Sequence, residues 1–156
     1  MRRILAFTVT LLVACSLSAQ SYRIYAGEDY KEYIGKWASP YNSESIWNKY
    51  NSYGSQYSSK SIWNKYSTYG NHYSAYSPWN KYSNNPPVLV DKDNRIVCYM
   101  SCTYSADSRM RELMKFISEH FDEIADDPTQ FYQDVIKDHN RYVSRLPRSS
   151  YLPDPK

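Results

Sequence analysis

The chain contains no phosphate-binding glycine loop, no Gly-x-Ser-x-Gly elbow and no His-Glu-x-x-His helix. The ready-made signatures of nucleotide binding, serine hydrolysis and zinc hydrolysis are therefore missing, and neither a catalytic residue nor a cofactor is expected. Charge of one sign is nowhere concentrated: residues 20–87 carry seven Lys/Arg against four Asp/Glu, and residues 88–156 carry ten against twelve. Nucleic-acid binding needs a dense positive field, so that balance excludes it. Long hydrophobic runs are absent too. The apolar stretch from Ile4 to Val13 covers ten residues, too short to cross a bilayer.

Cysteine is sparse, at three residues. Cys98 and Cys102 with His120 and His139 fit no zinc spacing, so no metal site is expected. The two cysteines are read either as a disulfide or as buried thiols. An extended 98–102 segment would hold the sulfurs too far apart, whereas a bend at Ser101 would bring them together. Asp91-x-Asp93-Asn94 begins like a calcium loop but has Ile96 where the turn glycine belongs and Cys102 where the final glutamate belongs, so it reads as a hairpin turn. Glu119-His120 and Asp138-His139 are acid–base pairs only by adjacency, and adjacent helical residues do not face each other.

What is present in excess is aromatic: 18 Tyr and four Trp. Much of this sits in a unit of 16 residues written three times without a gap, at 41–56, 57–72 and 73–88. The shared cores are Ser45-Ile46-Trp47-Asn48-Lys49-Tyr50, Ser61-Ile62-Trp63-Asn64-Lys65-Tyr66 and Ser77-Pro78-Trp79-Asn80-Lys81-Tyr82. Such self-similarity signals a stacked repeat architecture. Pro78 replaces Ile46 and Ile62, and the preceding residue is always serine. Proline fits a first helical position after a serine cap, and Gly54 and Gly70 are placed to end a helix in a left-handed conformation. Each copy therefore reads as a short helical turn followed by an extended linker. Helices so short must stack on their neighbours through the Ile, Trp and Tyr faces. Residues 25–40 read as a degenerate, capping copy, with Tyr30, Ile34 and Trp37 in the apolar places.

After Pro86-Pro87, a breaker, Val88–Val90 and Arg95–Met100 flank a four-residue turn and read as a hairpin. Met110, Leu113, Met114, Ile117 and Phe121 follow helical spacing from Ala106 to His120. Asp127-Pro128 reads as cap and first position of a second helix running to about Val143, with Phe131, Val135 and Ile136 inward. The expected fold is thus α+β and repeat-containing: a signal at 1–19, an aromatic repeat region at 20–87, a hairpin plus two helices at 88–145, and a flexible tail at 146–156.

Met1-Arg2-Arg3 followed by the apolar stretch reads as an export signal. Leu12-Val13-Ala14-Cys15 reads as a lipobox, with Cys15 lipidated; the alternative is cleavage after Ala19 and a secreted product. Either route leaves about 140 residues, enough for one modest domain. Contact with a membrane is expected only through the lipid anchor, in the outer membrane or periplasm.

Tyr33-Ile34-Gly35, the Ser-Ile-Trp-Asn-Lys-Tyr cores with their Tyr-Gly and Tyr-Ser joints, and Pro86-Pro87-Val88-Leu89-Val90-Asp91 together resemble a group of short exported bacterial proteins. Those carry tandem repeats of this kind, then a Pro-Pro pair and a hairpin. The resemblance covers roughly residues 33–101 and implies architecture but no catalytic residues. Asn94 departs from it where a turn glycine is usual, as do Asn51 and Ser67 where glycine is frequent.

Two readings of the repeats follow. In the first, Trp47, Trp63 and Trp79 form the core of a non-enzymatic structural or protein-binding component of the bacterial envelope. In the second, these tryptophans with Tyr57, Tyr73 and Tyr76 form a glycan-binding face. The partner is accordingly an envelope protein or a polysaccharide. The exposure of the rings discriminates between the two.

Overall fold

The computed structural model describes residues 21–103, 106–137 and 150–151. The expected export signal, Cys15, the expected extension of the last helix past residue 137 and most of the expected tail lie outside the described residues. The architecture is mixed α+β, with an antiparallel sheet and three helices. Strands β1 (Tyr22–Ala26), β2 (Glu32–Trp37), β3 (Val88–Val90) and β4 (Arg95–Tyr99) lie in the order β2-β1-β3-β4. A short strand, β5 (Ser150–Tyr151), pairs outside β4 through Arg95 and Ile96, so part of the expected tail is tied to the sheet. Helices α1 (Ser108–Glu119), α2 (Phe121–Asp126) and α3 (Pro128–Phe131, continued by a π-turn through Ile136) follow. None of the described helices is long and apolar enough to cross a membrane.

The hairpin forms where the sequence places it: Val88 faces Tyr99 and Leu89 faces Cys98. Its turn is held by Asp91, whose Oδ1 accepts from the N–H groups of Asp93 and Arg95 at 2.9 and 3.0 Å. Asn94, at φ 61°, takes the left-handed place that glycine would otherwise fill. Asp127 caps α3 ahead of Pro128, as expected, and Ile136 is buried; Val135, expected inward, faces solvent.

Residues 25–40 are not a copy of the repeat. Strands β1 and β2 instead run through Tyr22–Ala26 and Glu32–Trp37; in β1, Tyr22, Ile24 and Ala26 are buried and Arg23 and Tyr25 half-buried, a period of two. The match of Tyr30, Ile34 and Trp37 to the helical positions reflects only the abundance of aromatics.

The repeats contain no helix, a second correction. From Ser39 to Ser83 the backbone is a chain of consecutive turns, each started by a serine or asparagine at 39, 42, 45, 48, 51, 55, 58, 61, 64, 67, 71, 74, 77, 80 or 83. The starter's side-chain oxygen accepts the N–H two residues on, or three on at Ser67, as in Ser61 Oγ with Trp63 N (3.0 Å) and Asn64 Oδ1 with Tyr66 N (3.0 Å). Its carbonyl usually accepts from the next starter, as Ser61 O does from Asn64 N. Serine at 45, 61 and 77 does cap the following N–H groups, but an asparagine three residues later begins a new turn before a helix can propagate. Short polar side chains compete with helix in just this way.

Gly54 and Gly70 are not left-handed. They are needed because a β-carbon there would lie 1.9 and 2.1 Å from the carbonyl oxygens of Asn48 and Asn64. Asn51 and Ser67, the departures from the resembling group, use their side chains to bond the carbonyls of Ser45 and Ser61 at 2.9 Å each.

The larger of two hydrophobic clusters joins sheet, repeats and helices, while Val88, Val90 and Ile96 form a smaller one with Tyr25, Tyr30 and Tyr99. The larger cluster is built on tryptophan. Its spine is a row of indoles: Trp37 to Trp47 at 5.1 Å between centroids, Trp47 to Trp63 at 5.4 Å and Trp63 to Trp79 at 5.5 Å. The indole N–H of Trp63 donates to the Ile46 carbonyl (2.6 Å), and that of Trp79 to the Ile62 carbonyl (2.8 Å). Trp47, the first tryptophan of the repeats, makes no such bond. The helices cover the row, with Phe131 and Tyr132 on Trp47, and Phe121 on Trp63 and Trp79.

Candidate binding face

Trp47, Trp63 and Trp79 are at most 3% exposed and offer no ring face to a ligand. As platforms for sugars they are ruled out, and their place in the core is explained by the area a buried indole removes from water. The tyrosines behave oppositely. Tyr41, Tyr50, Tyr57, Tyr66, Tyr73 and Tyr82 are 81–92% exposed. Tyr57 and Tyr73 were anticipated; Tyr76 is half-buried. Tyr41, Tyr50, Tyr66 and Tyr82 were missed, because a helical period assigns Tyr50 to the packed face.

The turn chain explains the difference. Every exposed tyrosine is the third residue of a turn, with its N–H held by the serine or asparagine that starts it. The tryptophans are also third residues, of the turns begun by Ser45, Ser61 and Ser77. Successive turns point their third residues in different directions, so the same local geometry sends indoles inward and phenols outward. The signal available in the sequence was the Ser/Asn spacing of three, broken by a four once per copy.

The exposed rings form two series, Tyr41-Tyr57-Tyr73 and Tyr50-Tyr66-Tyr82, each at 16-residue spacing. Beside the second stands a lysine each time: the Nζ of Lys49, Lys65 and Lys81 lies 5.5, 5.6 and 5.3 Å from the centroid of the following ring. These cation–π contacts are worth little at exposed positions, about 0.5–1 kcal/mol. Lys49 and Lys65 also reach the helices, at 3.6 Å from Asp127 and 3.7 Å from Asp122.

Where α2 approaches the repeats, two clefts open. One of about 380 Å³ runs from Tyr57 to Tyr66, and one of about 790 Å³ from Tyr66 to Tyr73. Phe121 and Asp122 border both. His72 meets Phe121 edge-on at 4.9 Å in the larger.

Cys98 and Cys102 are buried free thiols. Burial pushes the Cys102 thiol above its ordinary range, which keeps it protonated and inert. Elsewhere burial, and then a neighbouring carboxylate, raises two phenols: Tyr33 beside Glu44 and Tyr69 beside Glu32. Among the described residues no three His, Cys, Asp or Glu side chains gather as a metal site would require. No protein family, curated protein or solved structure matches the chain.

Proposed function

We propose that this is a non-enzymatic, exported repeat protein of the bacterial envelope that works as a binding scaffold. In this reading each 16-residue copy is one coil of a short stack, the second and third each joined to the coil before it by a tryptophan N–H bond. The observation that carries the reading is the division of labour between rings. Buried tryptophans hold the stack, while six tyrosines are left in water at regular intervals. Tyrosine with serine and asparagine is a composition suited to recognition, since a rigid amphipathic ring gives contact area at low entropic cost. Several equivalent contacts on one rigid frame raise avidity without any single strong one.

The test is a variant in which all six exposed tyrosines become serine. Because these rings contribute little to the core, its melting temperature should stay close to that of the native protein. In the Cys15→Ser background, which carries no lipid, its retention on sedimented cell-envelope material should nevertheless be lost. Undiminished retention would show that the face is not the binding surface. For the anchor, incorporation of radiolabelled palmitate that Cys15→Ser abolishes is expected; an unlabelled protein beginning at Gln20 would instead make it a secreted one.

A further inference from the structure

The two clefts beside α2 narrow the class of ligand, an inference that rests on the tyrosine face being a binding surface. In chain order the walls are Tyr57, Tyr66 and Tyr73, each ring 85% or more exposed and so stacked on no other ring. The acidic side chains at the rim are Glu119, Asp122 and Glu123, and the cation among them, Lys65, is already engaged by Asp122 at 3.7 Å. That balance repels a phosphate backbone or an acidic polymer. It also distinguishes the clefts from the positive, ring-lined grooves that hold single-stranded nucleic acid. A protein hot spot would require a dry apolar pocket at the centre. Here Trp63 and Phe121 at the floor are buried by the protein itself, which leaves separate rings divided by polar groups.

Exposed rings bordering two adjoining clefts, with hydroxyl-binding amides and carboxylates between them, match a sugar chain. Each sugar presents an apolar C–H face to stack and a rim of hydroxyls. We infer that the paired clefts bind a neutral polysaccharide segment, with sugar rings stacked on Tyr57, Tyr66 and Tyr73. Its hydroxyls donate to Asp122 and Glu119 and exchange hydrogen bonds with Gln56 and the Asn71 amide nitrogen. Hydroxyl-to-carboxylate bonds are the stronger ones, being charge-assisted. With no ligand charge involved, binding should be nearly independent of salt.

Isothermal titration of the full chain with neutral gluco-, xylo- and manno-oligosaccharides of increasing length, and with uronic-acid oligosaccharides, tests this. Affinity is expected for at least one neutral series, growing with length until the three rings are occupied, unchanged by salt and absent for the uronic series. Tyr57→Ala, Tyr66→Ala and Tyr73→Ala should each weaken it about tenfold, while Val135→Ala, away from the clefts, leaves it intact. Because the three rings are exposed, the variants should melt like the native protein, so a loss of binding is not a loss of fold. Preference for the uronic series, equal losses in Tyr41→Ala and Tyr57→Ala, or no neutral binding would overturn the inference. If tyrosine-dependent retention on envelope material persists without neutral binding, the scaffold reading stands and this one falls. If retention is independent of the tyrosines, both fall.

Discussion

At Gly35, φ is 106° and a β-carbon would lie 2.7 Å from the Cβ of Tyr53, so the residue joins a left-handed backbone to a close contact between β2 and the first copy. Gly70 is different: its backbone is ordinary, and the carbonyls of Asn64 and Ile62, at 2.1 and 2.8 Å from a would-be β-carbon, forbid a side chain. Gly70→Ala should therefore cost about 1–3 kcal/mol through overpacking, read as a melting temperature several degrees lower. An unchanged melt would mean that the turn yields freely. A second residue-scale expectation concerns Glu44. Lys36 Nζ lies 2.9 Å from its Oε2, and this hydrogen bond foremost holds the Glu44 carboxyl below its ordinary range. The unfolded chain takes up that proton first, near pH ~4.3. The stability contributed is thus complete above that pH and is lost as pH falls through the lower folded value. Glu44→Gln should be less stable at neutral pH and show a shallower fall in melting temperature on acidification. Parallel curves for the two proteins would remove the pair from the account.

At the scale of elements, the turn chain and the rejected helix make opposite forecasts for proline. Within a helix, proline at Lys65 costs about 3 kcal/mol or more. In a turn begun by Asn64, Lys65 is the second residue, where proline's fixed φ is favourable. The chain already uses this: Pro40 and Pro78 both follow a turn-starting serine. Lys65→Pro should consequently melt close to the native protein. Tyr66→Pro should not, because it deletes the N–H that donates to Asn64 Oδ1 at 3.0 Å. If Lys65→Pro proves the more damaging, the turn register is wrong. The hairpin and α1 were legible as elements because each is short-range: two β-rich runs around Asp91–Asn94, and Met110, Leu113, Met114 and Ile117 on one face. The turn chain was not, since serine before proline suits a helix start and a turn start equally well.

Over the whole molecule, Phe121 is the contact on which the parts converge. It meets Trp63, Trp79 and His72, bringing α2 against two copies of the repeat. Phe121→Ala should cost about 3–5 kcal/mol, seen as a lower denaturant midpoint with an unchanged slope. Phe116→Ala, on the exposed side of α1, should cost far less. Similar midpoints for the two would mean that the helices contribute little to holding the repeats. The sequence by itself determined the 16-residue period, the excess of rings and the local elements after Pro87, because repetition, composition and short-range periodicity are properties of the chain. Which rings would be buried was decided only by tertiary structure. Tryptophans and tyrosines occupy the same third place of like turns, and only the direction each turn takes relative to the core, with the helices closing over it, sends Trp63 inward and leaves Tyr66 in water.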